Sequence, residues 1–173
     1  MKKNIFYLIL LLFFTFIFAV FYKGLDKPNF YTPKEVNNKN FEEFTSFELF
    51  SNKQFDSQDI IENNKFTLVN IWSSWCVPCR QEHSVLMNLS KKTDLNIVGL
   101  NYKDKKNNAI KFLNEFGNPF VKILTDTDGT ISIALGAYGV PETFLVNNKS
   151  KIVRKYIGPL ETDDILEIIR IAK

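Results

Sequence analysis

Residues 66–80 read FTLVNIWSSWCVPCR, and the fold of the chain can be argued outward from this stretch. Its first seven residues form an apolar, strand-like run, after which Cys76 and Cys79 follow with two residues between them. A Cys-x-x-Cys placed where a strand leads into a helix is suited to reversible thiol–disulfide chemistry. Because the chain has no third cysteine, these two can pair within the chain only with each other.

A structural disulfide is the alternative to a reactive one, since exported domains often use disulfides for stability. A bond across two intervening residues closes a very small loop, and it therefore constrains the unfolded chain little. We predict that Cys76 and Cys79 form a redox-active pair and that the chemistry needs no other cofactor.

From residue 65 onward the sequence alternates strand and helix patterns. The predicted strands are 68–72, 96–102, 120–124, 143–146 and 151–156, and the predicted helices are 78–90, 105–116, 128–135 and 162–172. Thr162 is the expected N-cap of the last helix, whose Ile165, Ile168 and Ile169 should face the sheet. The alternation ends in a hairpin and a helix, which predicts an α/β fold with a mixed central sheet flanked by helices.

The region before this core is predicted to be simpler. Residues 41–55 alternate in part, with a turn at 51–53, which predicts a β-hairpin, and residues 56–61 predict a short capped helix. Residues 23–40 show little apolar periodicity and read as a linker. The predicted folded domain therefore covers residues 41–173.

The first 22 residues differ from the rest of the chain. After the basic Lys2 and Lys3, residues 5–22 contain no charge; as a helix they would extend roughly 27 Å, near the thickness of a bilayer core. A cleaved signal peptide is the alternative, but its apolar core is usually shorter and ends in small residues, which residues 18–22 do not supply. We expect an uncleaved transmembrane anchor at 1–22, with both lysines in the cytoplasm and the rest outside.

Composition narrows the class of protein further. The chain has 173 residues, of which 45% are hydrophobic and 24% charged, as in a globular domain with a short extension. The net charge is only +3 and no basic face with interleaved aromatic residues is visible. Nucleic-acid binding is therefore not expected.

Four segments together carry a family likeness. They are WSSWCVPC at 72–79, CRQEH at 79–83, GLNYKD at 99–104 and GAYGVPETFL at 136–145. The first resembles the active-site segment of thioredoxin-fold proteins. The other three, in this order, resemble more specifically the CcmG/DsbE family, the membrane-anchored thiol–disulfide interchange proteins of cytochrome c biogenesis. The likeness runs from about residue 41 to the C-terminus.

The resemblance implies a thioredoxin-like fold with an N-terminal β-hairpin and an inserted strand–helix unit, supplied in part by residues 96–116. It also implies a catalytic domain in the periplasm, tethered to the bacterial inner membrane by one helix. Such a protein reduces the disulfide of apocytochrome c before haem attachment. A membrane thiol transporter supplies its electrons, and other cytochrome c maturation components are further candidate partners.

The two cysteines are expected to have different roles. Cys76, at a helix N-terminus that favours a thiolate, should attack and should be the more exposed sulfur. Cys79, one turn on, should resolve the mixed disulfide. Pro78 fits the first turn, where its missing N–H is not needed. Trp75 is expected to cover the dithiol, whereas Trp72 could belong to the core or to the site.

Glu82 lies one helical turn beyond Cys79 on the same face. If it is buried, its pKa would be raised and it could relay the proton of the second thiol; a solvated surface glutamate is the alternative. Asn70 stands where ordinary thioredoxins have a buried aspartate. A neutral amide cannot act as a general base, which favours Glu82 for that role.

Pro141 resembles the cis-proline that faces the disulfide in this fold, with an ordinary trans turn as the alternative. A cis bond would turn the backbone of Val140 toward the substrate, which could pair with it as an added strand. Glu142 and Tyr138 flank the loop as candidate specificity residues, or as surface residues.

A metal site is not expected. Cys76, Cys79 and His83 supply at most three ligands, whereas a structural zinc site needs four. A haem attachment site needs a histidine directly after the second cysteine, and Arg80 stands there. The predicted function is thus reduction of apocytochrome c. The alternatives are a general periplasmic disulfide reductase or oxidase, or a non-catalytic metallochaperone or docking subunit.

Overall fold

The structure is a computed structural model that describes residues 2–25, 38–93 and 95–173. The chain divides into two compact units, residues 1–34 and 35–173. The predicted boundaries at residues 22 and 40 stay predictions, and most of the predicted linker lies outside the described residues.

The first unit contains helix α1 (Lys2–Leu25). Its segment Asn4–Lys23 has a mean hydropathy of 2.7 and is long and apolar enough to cross a membrane. Within the part of the chain that the structure describes, no other helix meets these criteria. A signal sequence near the N-terminus passes the same test of length and composition. The helix is therefore described as a candidate membrane span.

The second unit alternates strands and helices as predicted. In chain order its elements are β1 (Thr45–Phe47), β2 (Gln54–Asp56), α2 (Ser57–Ile61), β3 (Phe66–Trp72), α3 (Val77–Lys92), β4 (Asn96–Tyr102), α4 (Lys106–Phe116), β5 (Lys122–Asp126), α5 (Thr130–Ala134), β6 (Glu142–Asn147), β7 (Ile152–Ile157) and α6 (Thr162–Ala172).

The central sheet has the strand order β5-β4-β3-β6-β7. Strands β3, β4 and β5 are parallel, whereas β6 runs antiparallel to β3 and to β7. This confirms the predicted α/β fold with a mixed sheet. Strand β3 lies at the centre and is buried from its second residue onward, so the loop that follows it begins in the middle of the sheet.

Both faces of the sheet are covered, as the alternation of β3 shows. Leu68 and Trp72 point into a cluster that also contains residues of α3, α4 and α6. Val69 and Ile71 point into a second cluster on the opposite face. Because successive side chains of a strand point to opposite faces of the sheet, the apolar residues of β3 contribute to both hydrophobic clusters.

The N-terminal hairpin is confirmed. β1 and β2 pair antiparallel, with Thr45 opposite Asp56. The hairpin lies against the edge strand β5, where the Ser46 hydroxyl donates to the carbonyl of Thr125 at 2.5 Å and the Leu49 amide donates to Ile123 at 2.9 Å. These bonds use backbone groups of β5 that would otherwise form an open sheet edge.

Residues 96–116 contain β4 and α4. Strand β4 pairs directly with β3 as the second strand of a β3–α3–β4 unit, and α4, the outer strand β5 and α5 follow it before β6. Strand β5 begins at Lys122, two residues after the predicted start, because Phe120 instead stacks on Trp72 with ring centroids 5.5 Å apart.

The predicted N-cap of the last helix is wrong. Glu161, not Thr162, is the N-cap of α6, and its side chain and that of Asp164 form a reciprocal capping box. A hydroxyl residue favoured Thr162 in the sequence, but two carboxylates bonded to opposite backbone amides satisfy more of the free N–H groups. Ile168 is buried, and Ile165 and Ile169 pack on the core as predicted.

Candidate active site

The two cysteines lie at the junction of β3 and α3 and form a disulfide. Cys76 is the N-cap of α3, and its Sγ accepts a hydrogen bond from the Cys79 amide at 3.1 Å. Pro78 occupies the first turn of the helix, where no acceptor exists for a backbone N–H. A thiolate on Cys76 would take the same amide hydrogen bond and the favourable end of the helix dipole.

The exposures of the two cysteines do not distinguish them. Both residues are 3% exposed in the disulfide form, so the expectation that Cys76 is the more accessible is wrong for this form. Both pack in the cluster beneath the sheet, where Trp72 is also buried. The difference between the cysteines is therefore one of position on the helix, since Cys76 caps α3 and Cys79 lies inside it.

Glu82 lies one turn below Cys79 and is 2% exposed. Its Oε1 accepts from the Asn70 amide group and its Oε2 from the backbone amide of Leu160, both at 2.9 Å. Burial raises the pKa of Glu82 to about 7, although the two hydrogen bonds act in the opposite direction. Glu82 is thus not a solvated surface residue, and a carboxyl that titrates near neutral pH suits proton transfer.

Asn70 connects this carboxyl to the next strand. It is fully buried on β3, and its Nδ2 donates both to Glu82 and to the Thr143 hydroxyl at 2.9 Å. Its Oδ1 has no hydrogen-bond partner among the described residues. Asn70 therefore supports Glu82 as a donor and, being a neutral amide, supplies no base of its own.

The loop before β6 reaches the same region. The Val140–Pro141 peptide bond is cis, so the trans alternative is wrong. Val140 is half-buried and packs against the cluster that contains both cysteines. The cis bond agrees with the resemblance, while the position of the loop opposite the dithiol and the contact of Val140 with a substrate stay predictions.

Glu142 lies beneath that loop and not on the surface. It is 1% exposed, and its Oε1 accepts from the amides of Tyr138 and Gly139 at 2.6 and 3.0 Å. Its Oε2 forms an ion pair with Lys155 Nζ at 2.8 Å. Lys155 also donates to the Gly136 carbonyl at 2.8 Å, so one buried pair holds three backbone groups of the loop.

Sequence reasoning missed Lys155. The register of the β6–β7 hairpin places Phe144 opposite Lys155, and Glu142 is two residues from Phe144 on the same face. Diagonal neighbours of this kind lie within reach of a long side chain. The predicted hairpin therefore contained a signal for the pair, although the exact register was needed to find it.

The two tryptophans differ in burial and in location. Trp72 is 2% exposed and lies between the rings of Phe112 and Phe120, so it belongs to the core. Trp75 is 56% exposed, and its indole N–H donates to the Lys103 carbonyl at 3.0 Å. Trp75 is therefore fixed at the edge of the site, with most of its ring open to a binding partner. Tyr138 is similarly exposed.

His83 is a buried residue of the α3–α4 interface. Its Nε2 lies 3.0 Å from the Gly117 carbonyl and its ring packs edge-on against Phe112, with centroids 4.9 Å apart. Burial lowers its pKa. Among residues 2–25, 38–93 and 95–173, no group of three or more His, Cys, Asp and Glu side chains is arranged to hold a metal ion.

A mixed α/β sheet with a Cys-x-x-Cys at the start of the helix after its central strand defines a thioredoxin-like thiol–disulfide oxidoreductase. Comparison with known proteins supports this class. The Redoxin family profile matches residues 36–169. A DsbF homologue from Corynebacterium diphtheriae superposes with a TM-score of 0.68 at 22% identity, covering 84% of this chain and 96% of that one. This likeness shows the fold.

Sequence relatives narrow the family. The thiol:disulfide interchange protein DsbE of Pseudomonas fluorescens biotype C is 39% identical over 144 residues, which cover 83% of this chain and 79% of that protein. The thiol:disulfide interchange protein CycY of Rhizobium leguminosarum bv. viciae is 48% identical, over 58% of this chain but only 54% of its own length. The chain belongs to the Redoxin family and, within it, to the CcmG/DsbE thiol:disulfide interchange proteins.

Proposed function

We propose that this chain is a membrane-anchored periplasmic thiol–disulfide oxidoreductase that reduces the disulfide of apocytochrome c before haem attachment. The observation that carries the proposal is the placement of Glu82, a buried carboxyl with a pKa near 7, one turn below a Cys-x-x-Cys that caps a helix. Membership of the CcmG/DsbE family supports the choice of client. The apolar helix α1 supports the membrane anchor, with the domain outside the cytoplasm.

The reaction begins with the dithiol form. The Cys76 thiolate attacks one sulfur of the client disulfide, which forms a mixed disulfide and releases one client thiolate. Cys79 then loses its proton and attacks the sulfur of Cys76. This step releases the second client thiolate and forms the Cys76–Cys79 disulfide, so that two electrons pass to the client.

Glu82 supplies the base for the second step. As a carboxylate it accepts the proton of the Cys79 thiol, and its two hydrogen-bond donors stabilise the charged form that begins the step. With a pKa near 7, enough of it is ionised at neutral pH to act and enough is protonated to return the proton. No metal or organic cofactor takes part.

The loop before β6 binds the client. The Val140 backbone pairs with an extended client segment beside the dithiol, and Tyr138 and Trp75 contribute exposed aromatic surface. A membrane thiol transporter returns the oxidised pair to the dithiol by the same exchange chemistry.

The test is a trap in the native membrane. In Cys79→Ser, Cys76 can form a mixed disulfide that cannot resolve, and the attached proteins can be identified by mass spectrometry after non-reducing separation. The matched control is the double variant Cys76→Ser/Cys79→Ser, which should carry no adduct. Apocytochromes with Cys-x-x-Cys-His segments, together with a membrane thiol transporter, are the expected adducts.

Other outcomes separate the alternatives. A broad set of exported proteins on Cys76 would point to a general disulfide reductase or oxidase, and the reduction potential of the pair would then decide its direction. Absence of any adduct, with wild-type expression and membrane insertion, would overturn the proposal in favour of a non-catalytic docking subunit or metallochaperone.

A further inference from the structure

The loop that leads from β3 to the dithiol is hydrogen bonded to the loop that leads from β4 to α4. Three consecutive residues, 73–75, each donate to one of three consecutive residues, 102–104. The donations are Ser73 Oγ to the Tyr102 carbonyl, Trp75 Nε1 to the Lys103 carbonyl at 3.0 Å, and Ser74 N and Oγ to the Asp104 carboxylate at 2.6 and 2.8 Å. The segment directly before Cys76 is thus held along its whole length by its neighbour.

Asp104 contributes the largest share of these bonds. Besides the two donors of Ser74, its carboxylate accepts from Asn101 Nδ2 at 3.1 Å and from the Lys105 amide at 2.8 Å. Four donors therefore converge on two oxygens, and bonds to a charged acceptor are stronger than neutral ones. Of the three connections, this is the only one made by an acceptor side chain; the other two end on backbone carbonyls.

We infer that Asp104 is a positioning residue for thiol–disulfide exchange, which holds Ser74 and thereby sets the position of Trp75 and Cys76. This inference rests on exchange by the Cys76–Cys79 pair, as in the proposed function, and is independent of which client the pair reduces. It also gives a role to the polar residues at the end of the segment 99–104, which take no direct part in the thiol–disulfide exchange.

The physical reason is the geometry of sulfur attack. Cys76 follows Ser74 by two residues, and its amide already donates to the Ser73 carbonyl at 3.2 Å in the turn before α3. Apart from the bonds of Cys76 to Cys79, the side-chain hydrogen bonds that hold residues 73–76 are, among the described residues, the ones given above. Misplacement of a reacting group by about 1 Å can cost up to 100-fold in rate, so the anchor should act on the exchange rate as well as on stability.

Asp104→Asn is the informative variant because it preserves shape. The asparagine amide keeps one acceptor oxygen but replaces the other with an NH₂ group. This NH₂ group would face N–H and O–H donors whose hydrogen bonds the carboxylate of Asp104 accepts. Asp128→Asn is a matched control. Asp128 accepts from the backbone amide and the hydroxyl of Thr130, at 3.0 and 2.7 Å, in the same way as Asp104 accepts from Ser74. It precedes α5 and is close enough to Lys103 for a charge interaction, so it tests the neighbourhood of residues 102–104 without taking part in the hydrogen bonds that hold residues 73–75.

Two measurements on the full-length chain in detergent micelles test the inference. The first is the rate at which the reduced protein reduces an aromatic disulfide, normalised to the folded fraction. The second is the ¹⁹F spectrum of the protein labelled with 5-fluorotryptophan, which contains two resonances because the chain has two tryptophans. Trp75 reports on the anchored loop, and the buried Trp72 reports on the core.

We expect Asp104→Asn to slow exchange by about tenfold and to shift or broaden the Trp75 resonance while that of Trp72 stays in place. Asp128→Asn should change neither. The inference is overturned if exchange and the Trp75 resonance both match the wild type, or if Trp72 moves together with Trp75, which would indicate general loosening. Failure of the wild-type protein to exchange would instead overturn the proposed function, whereas the Trp75 resonance would still report on the anchor.

Discussion

Glu82 shows most clearly how a single residue takes its properties from its surroundings. Its carboxyl is buried between α3, Asn70 on β3 and the backbone of Leu160. Desolvation disfavours the charged form, and the two donors only partly compensate. The same residue on the outer face of α3 would have neither its pKa nor its role.

The pH dependence of stability follows from this shift. A carboxyl with a pKa raised from 4.5 to about 7 stabilises the fold while it is protonated. That contribution is fully present below about pH 4.5 and is lost as the pH rises through about 7. The free energy of unfolding should therefore fall by up to about 3 kcal/mol across this window, as measured by urea denaturation.

Glu82→Gln is the variant that isolates this effect. It should remove the decline in stability between pH 4.5 and 7, and it should also remove the inflection near pH 7 from the rate at which Cys79 resolves a mixed disulfide. Stopped-flow measurement of exchange against pH checks the second point. A rate profile that still shows the inflection in Glu82→Gln would assign the proton transfer to another group.

Gly99 gives a second prediction at this scale. A Cβ at this position would lie 2.7 Å from Trp72 Nε1 and 3.1 Å from the ring of Phe120. Both rings are stacked in the core and cannot move aside without disturbing α4. Gly99→Ala should therefore lower the free energy of unfolding by about 1–3 kcal/mol, while Gly139→Ala, where nothing lies within 4 Å, serves as the control.

At the scale of elements, the β6–β7 hairpin acts as the support of the loop that carries the cis-proline. Its buried ion pair joins Glu142 on β6 to Lys155 on β7, with side chains 1% and 4% exposed. The pair reaches the loop through backbone groups of Gly136, Tyr138 and Gly139. The hairpin therefore holds the loop in place through these three backbone groups.

Removing one partner of this pair should be costly. Lys155→Met leaves the Glu142 carboxylate buried without its cation, and we expect a loss of about 3–5 kcal/mol in the free energy of unfolding. The double variant Lys155→Met/Glu142→Gln should recover part of this loss, because no uncompensated charge remains. Equal stabilities of the single and double variants, measured by chemical denaturation, would contradict the importance of the pair.

At the scale of the whole molecule, the chain divides into an apolar helix and a domain that has its own core. The described members of the two hydrophobic clusters all lie within residues 41–171, and the Redoxin profile begins at residue 36. Residues 35–173 therefore form a compact unit with a hydrophobic core of their own.

Removal of residues 1–34 tests this division. The shortened chain should keep its melting temperature and its rate of thiol–disulfide exchange, because both depend on contacts within residues 35–173. It should also leave the membrane fraction, whereas the full chain stays there after washing with carbonate. Release of the intact full chain by carbonate would contradict the anchor, and a shortened chain that fails to fold would contradict the independence of the domain.

Several features of the fold and site could be read directly from the sequence. The Cys-x-x-Cys, its place after a buried strand and the order of strands and helices all depend on spacing along the chain, which local periodicity preserves. The same spacing put Glu82 one turn from Cys79. The proline of the loop before β6 was found by its resemblance to a known family.

Only the tertiary structure determined the burial and the interaction partners of these residues. Glu82 is buried where the backbone amide of Leu160, 78 residues away, donates to it, and the buried Glu142 is paired with Lys155 from the other strand of a hairpin. The limits of β5 and the cap of α6 depended on competition between packing and hydrogen bonds. The sequence by itself determined which chemical groups are present and how they are spaced, whereas the structure determined their burial and partners, because these arise from contacts between distant segments.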